Sequence, residues 1–265
     1  MVIKSTGDII AISKKAANAA GDLIRSSKPL EVRTKCISDY VTEIDVECQK
    51  IIKDMIIEKF PEHNVLAEED GGEFCDKNDL WIIDPLDGTT NFIHGLSHSA
   101  VSIAFYTEGR IVTGVVYDPF RDEMFSAVLS HGAELNGVPI KVSEAKELSQ
   151  CLVATGMPFK RKEKAGEYFD CLREILKKTS GVRRMGSAAL DLVYTACGRF
   201  DCFFEGWLSP WDIAAGVLIL NESGGRACDF RGENNFLRNG SIIGAGKNVF
   251  GSFFKEINSY LEGSV

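Results

Sequence analysis

The stretch Leu80-Trp81-Ile82-Ile83-Asp84-Pro85-Leu86-Asp87-Gly88-Thr89-Thr90-Asn91-Phe92 constrains this chain more than any other. Its four leading apolar residues predict a short buried strand. Asp84 ends that run, and Pro85 forces extended or turn backbone on the residue before it. Asp87-Gly88 then supplies a turn that leaves Thr89 and Thr90 with available backbone N–H groups and hydroxyls. Two carboxylates with the Leu86 carbonyl between them are hard oxygen donors of the kind that suit Mg2+. The amides of Gly88, Thr89 and Thr90 suit a bound phosphate. The same spacing is also that of an ordinary Asp-Pro-x-Asp-Gly turn, and the segment alone does not choose between the two readings.

Three further acidic segments bear on that choice. Glu68-Glu69-Asp70 closes the apolar run Val65-Leu66-Ala67 and precedes Gly71-Gly72. Three adjacent acids repel one another unless a positive charge sits there, although a solvated loop would also tolerate them. In Ser209-Pro210-Trp211-Asp212, Ser209 suits a helix N-cap and Pro210 the first helical position. Asp212 then lies in the first turn, either as a partner of the helix dipole or as a ligand held rigidly by the helix. In the stretch Asp39–Asp45, Thr42 and Asp45 have the spacing of a capping arrangement. Read jointly, Glu68, Asp84, Asp87 and Asp212 supply the set that a two-metal phosphoryl-transfer site requires. Such a site must lower the barrier to phosphate-monoester hydrolysis by ~20 kcal/mol or more.

Periodicity predicts amphipathic helices over 8–26 and 43–59. Strands follow over 100–106 and 111–117, joined at Glu108-Gly109, and then over 122–128, 132–135 and, past Asn136-Gly137, 138–142. Beyond residue 145, strands at 152–155, 201–204, 226–229 and 241–244 alternate with helices at 163–178, 187–197, 210–222 and 248–261. The expected fold is α+β, a layered αβαβα sandwich. Residues 1–145 would form an α+β half of two helices and a largely antiparallel sheet, carrying Glu68 and the DPLDGTT loop. Residues 146–265 would form an α/β half carrying Asp212.

A net charge of -8 disfavours nucleic acid and anionic membranes, unless bound divalent metal reverses the field locally. Apolar runs fall short of the ~18 residues of a membrane span, and the N-terminus lacks a secretory core, so a soluble cytoplasmic protein is expected. The eight cysteines, Cys36, Cys48, Cys75, Cys151, Cys171, Cys197, Cys202 and Cys228, form no CxxC. None stands at zinc spacing from His63, His94, His98 or His131, so all read as reduced core thiols. Gly244-Ala245-Gly246-Lys247-Asn248 lacks the first Gly and the hydroxyl residue of a P-loop and reads as a strand-to-helix turn.

The segments AEED (67–70), WIIDPLDGTTNF (81–92) and PWDIAAG (210–216), together with VTEID (41–45), RRMGSAALDL (183–192) and ESGGRACDF (222–230), resemble the inositol monophosphatase family. The likeness runs from about residue 8 to 262, and the Gly186–Leu192 stretch is similar to the bacterial branch. That family comprises Mg2+-dependent, lithium-sensitive phosphatases. The resemblance implies one Mg2+ on Glu68, Asp84 and the Leu86 carbonyl, and a second on Asp84, Asp87 and Asp212. A weaker third ion would rest on Glu68 and water. It further implies that Glu68, Thr89 and Asp45 are catalytic, with Thr89 and Asp45 orienting and helping to deprotonate the attacking water. Gly88 and Thr89 would bind phosphate, while Asp87, Gly186, Ser187, Ala188, Glu205 and Asp212 would hold the rest of the substrate, and Arg184 would lie near the sugar site or a dimer contact. The implied activity is hydrolysis of inositol 1-phosphate and related polyol or sugar phosphates by metal-activated water, in a homodimer. Within the superfamily, the 13 residues between Asp70 and Asp84 leave no room for a large inserted domain. A dual fructose-1,6-bisphosphatase activity stays open. So does binding to the transcription machinery and RNA, as some bacterial relatives do, although nothing in this composition demands nucleic acid.

Overall fold

The computed structural model describes residues 6–28, 32–36 and 39–264; Met1–Ser5 and the Cys36 side chain lie outside the described residues. Helix α1 (Thr6–Ser26) buries Ile9, Ala16, Ala17, Ala20 and Ile24, an i, i+7, i+8, i+11, i+15 stripe along one face. A short antiparallel hairpin, β1 (Val32–Cys36) and β2 (Asp39–Thr42), leads into α2 (Glu43–Lys59). Helix α2 buries Ile44, Cys48, Ile52 and Ile56 at intervals of four.

A seven-stranded sheet follows in sequence order: β3 (Asn64–Ala67), β4 (Leu80–Asp87), β5 (Ala100–Thr107), β6 (Arg110–Asp118), β7 (Glu123–Val128), β8 (Ala133–Leu135) and β9 (Val138–Pro139). Only β3 and β4 pair in parallel. The alternation along β4 explains its unbroken apolar run. Trp81 and Ile83 pack with α1 and α2, while Leu80 and Ile82 face the opposite layer. Short helix α3 (Thr89–Ile93) separates β4 from β5.

The second half comprises β10 (Leu152–Thr155), α4 (Ala165–Lys178), β11 (Gly181–Arg183), α5 (Ala188–Ala196), β12 (Cys202–Glu205), α6 (Pro210–Glu222), β13 (Gly225–Cys228), α7 (Phe236–Asn239), β14 (Ile242–Gly246) and α8 (Phe250–Leu261). Its sheet runs β11-β10-β12-β14-β13 and is mixed: β10 is parallel to both neighbours and β14 antiparallel to both. Helices α5 and α6 fill the space between the two sheets, α1 and α2 cover the outside of the first, and α4 and α8 cover the outside of the second. These are the five layers of an αβαβα sandwich. Apolar area on α5 and α6 is buried all round, as a helix between two sheets requires.

Several local expectations need correction. The strand expected over 138–142 ends at Pro139, because Val142 N–H donates to the Ser223 carbonyl beyond the end of α6. Past the expected turn at Asp87-Gly88, Thr89 and Thr90 open a short helix. Cys75 is exposed, in the irregular segment before β4, so it is not a core thiol; the other described cysteines are free and buried or half-buried. No helix among the described residues is long and apolar enough to cross a membrane.

Helix α6 sits unusually close to its neighbours. A Cβ on Gly114 of β6 would lie 2.8 Å from the Ala215 carbonyl oxygen, and one on Gly216 would lie 2.7 Å from Leu192 Cβ. Both clashes involve atoms deep in packed layers. We expect Gly114→Val to destabilise the protein by ~1–3 kcal/mol through overpacking. Urea unfolding would measure this, and an unchanged midpoint would contradict the close contact.

Candidate active site

In a regular strand, residues three apart point to opposite faces, so Asp84 and Asp87 should diverge. They do not, because β4 carries a bulge. Asp84 pairs with Ser102 and Asp87 with Ala100, so two residues, Pro85 and Leu86, oppose Val101 alone. The extra residue returns Asp87 to the side of Asp84, and the bulge also accommodates Pro85, which has no N–H for the ladder. Leu86 N–H donates to Asp84 Oδ1 at 3.0 Å and fixes that carboxylate.

Asp212 arrives from the far side of the layer. Ser209 N–H donates to its Oδ2 at 2.7 Å, in a capping box at the start of α6 with Pro210 in the first turn. Carboxylate oxygens of Asp84, Asp87 and Asp212 all lie within 4.8 Å of one another. Glu68, on the 3-10 turn Glu68–Asp70 after β3, lines the same cavity.

Gly88 makes the turn out of β4. At φ 93° it occupies left-handed backbone, and a Cβ there would lie 3.0 Å from the His98 carbonyl oxygen and 3.3 Å from that of Gly186. Glycine therefore serves both conformation and approach. The amides of Gly88–Thr90 stand at the start of α3. Thr89 Oγ1 lies 2.9 Å from Asp45 Oδ1 and 3.1 Å from the Leu86 carbonyl, with its single proton directed to these acceptors. Asp45 is buried and its other oxygen accepts from Thr42 N–H at 2.8 Å and Thr42 Oγ1 at 2.5 Å. The capping reading of Asp45 thus holds, and the same side chain also reaches Thr89.

The opposite wall comes from the second half of the chain. Ser187, N-cap of α5, donates through Oγ to Asp87 Oδ2 at 2.6 Å, and Ala189 N–H donates to the same oxygen at 2.8 Å. Asn91 Nδ2 donates to the carbonyls of His98 and Met185 at 2.8 and 3.0 Å, tying α3 to the loop before α5. Glu205 ends β12, with Gly156 beside it. A Cβ on Gly156 would fall 1.7 Å from Glu205 Oε1, so only glycine leaves that carboxylate its place. Arg184 stacks on Phe159 with 5.0 Å from Cζ to the ring centroid.

Together these groups enclose a cavity of about 160 Å³ lined by Glu68, Asp84, Leu86, Asp87, Gly88, Thr89, Arg184, Gly186, Ser187, Ala188, Glu205 and Asp212. Asp45 stands behind Thr89 and is not in the lining. Tyr40, Lys160 and Leu208 also line it and were missed in the sequence. His98 is buried away from the cavity, and His94 caps α3.

Burial dominates the electrostatics. It raises the Asp84 carboxyl well above its usual range, with Glu68, Asp87 and Asp212 adding repulsion. Asp87 and Asp212 are pushed up to about 6, and Glu205 to about 8, mainly by burial and partly countered at Glu205 by Arg184. Three converging hard-oxygen donors, costly to ionise beside one another, fit a divalent cation bound among them.

Comparison with known proteins agrees with the geometry. A model of the inositol monophosphatase family matches residues 6–262. The Nus factor SuhB of Escherichia coli strain K12 is 43% identical over 246 residues, 91% of this chain and 92% of that protein. The crystal structure of the extragenic suppressor protein suhB from Bartonella henselae superposes with a TM-score of 0.89 at 38% identity, covering 94% of this chain and 98% of that one. The inositol monophosphatase from Anabaena superposes with a TM-score of 0.85 at 35% identity, covering 96% and 97% of the two chains.

The raised carboxyls give a pH signature. Without metal, the folded protein retains protons on Asp87 and Asp212 up to about pH 6, well above the range of a free carboxyl. Stability from these groups is therefore full at low pH and falls as pH rises through that window. A divalent cation competes with those protons. Thermal melts in chelator and in Mg2+ should show a larger Mg2+-induced rise in Tm at pH 7.5 than at pH 5; equal rises would contradict a cation at this cluster.

Proposed function

The chain belongs to the inositol monophosphatase family, and from that membership and the site's geometry we propose that it is a Mg2+-dependent phosphomonoesterase acting on inositol 1-phosphate and related polyol phosphates. One observation carries this reading: the buried acidic cluster and the polar wall of Ser187, Arg184 and Glu205 share one small cavity. A metal cluster alone would suit many hydrolases. A cluster facing hydrogen-bonding groups from a second layer suits an ester whose alcohol carries several hydroxyls.

Glu68, Asp84, Asp87, Asp212 and the Leu86 carbonyl would hold two to three Mg2+ ions. When bound, they would activate water and offset the charge that develops on phosphate and leaving oxygen. The chain's own groups do the positioning. The Thr89 hydroxyl proton is directed at Asp45 and Leu86, which leaves the oxygen's lone pairs to accept from a water in the cavity. Proton release from that water then has a route through Thr89 to Asp45, whose carboxyl burial holds above its usual range. The start of α3 presents Gly88 and Thr89 amides to a phosphate oxygen. Ser187 and Ala189 keep Asp87 in one orientation. Glu205, with its carboxyl pushed up to about 8, can donate a hydrogen bond to a substrate hydroxyl at neutral pH.

The test is phosphate release with Mg2+ from inositol 1-phosphate, fructose 1,6-bisphosphate and 3'-phosphoadenosine 5'-phosphate, each with and without lithium. Preference for inositol 1-phosphate supports the reading, comparable turnover of the bisphosphate supports a dual activity, and turnover of none overturns it. Asp87→Asn and Asp212→Asn should each lower kcat/KM by more than about a hundredfold with the fold retained by circular dichroism. Near-normal turnover in both would remove the metal assignment. Thr89→Ala should lower kcat by ~10²–10⁴-fold with KM little changed, since its effect falls on the water and not on the ester.

A second reading is favoured by the Nus factor name of the E. coli relative. In it, the chain also binds the transcription machinery, as a homodimer or a monomer. Binding of purified RNA polymerase by the Asp87→Asn variant as well as by the wild type would support a role separate from catalysis, and no binding by either would end it.

A further inference from the structure

The segment between Glu205 and Asp212 contains a residue that the fold alone does not explain. Trp207 has φ 64°, in the left-handed region that disfavours bulky side chains. Asp79, Glu108, Asp122, Ser130 and Asn136 also have positive φ, but all are smaller polar residues. The indole N–H of Trp207 is in addition buried without a hydrogen-bond partner. Glycine would take this backbone without strain, and no orphan donor would remain. Two local costs at one position beside a binding cavity point to a role outside folding.

The ring is held in place. It packs against Tyr168 with 5.8 Å between centroids, and Tyr168 is itself anchored by Thr155 at 2.7 Å. Leu208 N–H donates to the Gly240 carbonyl at 2.8 Å, fixing the chain one residue on. What the ring contributes is a wall. A pocket of about 110 Å³ is lined by Met157, Pro158, Phe159, Gly206 and Trp207, and it shares Lys160, Glu205 and Leu208 with the main cavity. One compartment is walled by carboxylates. The other, across Glu205, adds the aliphatic and aromatic side chains of Met157, Pro158, Phe159, Trp207 and Leu208 to the charged Lys160 and Glu205.

We propose that this adjoining pocket is a second subsite, which takes a flat apolar group on the leaving alcohol, and that Trp207 determines its specificity. The proposal rests on the phosphatase reading of the main cavity. An ester held by the acidic cluster places its alcohol toward Glu205, and a planar substituent on that alcohol then meets the Trp207 and Phe159 side of the pocket. Aromatic contact and apolar burial there would favour such esters over equally small ones that stop at Glu205.

The experiment uses the full chain with Mg2+ and compares kcat/KM for 2-naphthyl phosphate with that for glycerol 2-phosphate. Trp207→Gly, which suits the left-handed backbone, should lower the ratio of the two by about tenfold, while Trp207→Phe should keep it within about threefold of wild type. A ratio unchanged in Trp207→Gly, or lowered equally in both variants, overturns the proposal. If the wild type hydrolyses neither ester, calorimetric titration with 2-naphthyl phosphate in Ca2+ decides the subsite, separately from the phosphatase reading, which turnover of inositol 1-phosphate decides. Weaker binding by Trp207→Gly than by Trp207→Phe supports it, and equal affinity of all three proteins, or no binding, overturns it.

Discussion

Mutual repulsion among buried carboxylates is the condition that the surrounding structure must satisfy. Asp84, Asp87 and Asp212 bring oxygens within 4.8 Å of one another, the first buried and the other two half-buried, where like charges interact more strongly than at an open surface. Left to flexible backbone, such groups would separate. Each is instead tied by a short covalent path to a rigid element and by a donor at one oxygen: Leu86 N–H on Asp84, Ser187 and Ala189 on Asp87, Ser209 N–H on Asp212. These donors set orientation, which is what a metal site needs from its surroundings.

The five-layer architecture follows from the same requirement. Asp84 and Asp87 belong to the first sheet, while Asp212 and the groups that orient Asp87 belong to the helices between the sheets. Their meeting depends on the distance from α6 to the first sheet, and the contact of Gly114 with Ala215 sets that distance. At the other end of α6, Glu222 accepts from Ser130 and Gly132 N–H at 2.8 and 2.9 Å. Helix α6 is therefore fixed to the first sheet at both ends, and its first turn has little freedom to move Asp212 away.

Sequence reading reached the elements whose signals are local. The continuous burial of β4, the stripes on α1 and α2, and the caps at Thr42 and Ser209 are all written in residues within one or two turns of each other. It missed β1, β2, α3, β11 and α7, and read β3 only as an apolar run; these elements are short and take their stability from neighbours rather than from their own pattern. The bulge was half legible: Pro85 indicated a departure from regular strand, but a turn and a bulge differ only in what the partner strand does, and Ser102 and Ala100 carry no mark of it. Among the site residues, the roles attached to Gly186, Ala188 and Glu205 came from resemblance and not from spacing. Lys160 and Trp207 were invisible because a side chain's reach and a backbone dihedral are properties of the folded chain.

Asp45 shows why local and functional readings need not compete. One carboxylate oxygen closes the cap of α2 through Thr42, and the other accepts from Thr89 across 44 residues of sequence. The cap fixes χ angles that an isolated acid would leave free, so the Thr89 contact comes at little further entropic cost. Asp212 has the same duality at the start of α6, and Ser187 at the start of α5. The starts of α5 and α6 thus reach one cavity and the start of α2 stands behind Thr89, each bringing a capping group that would be needed for helix stability anyway. N–H groups at the starts of α5 and α6 donate to Asp87 and Asp212, which reduces the cost of their charge before any cation arrives. The site is built chiefly from groups with a structural duty, and this makes it hard to read from residue types alone: the pattern that identifies a cap also conceals a ligand.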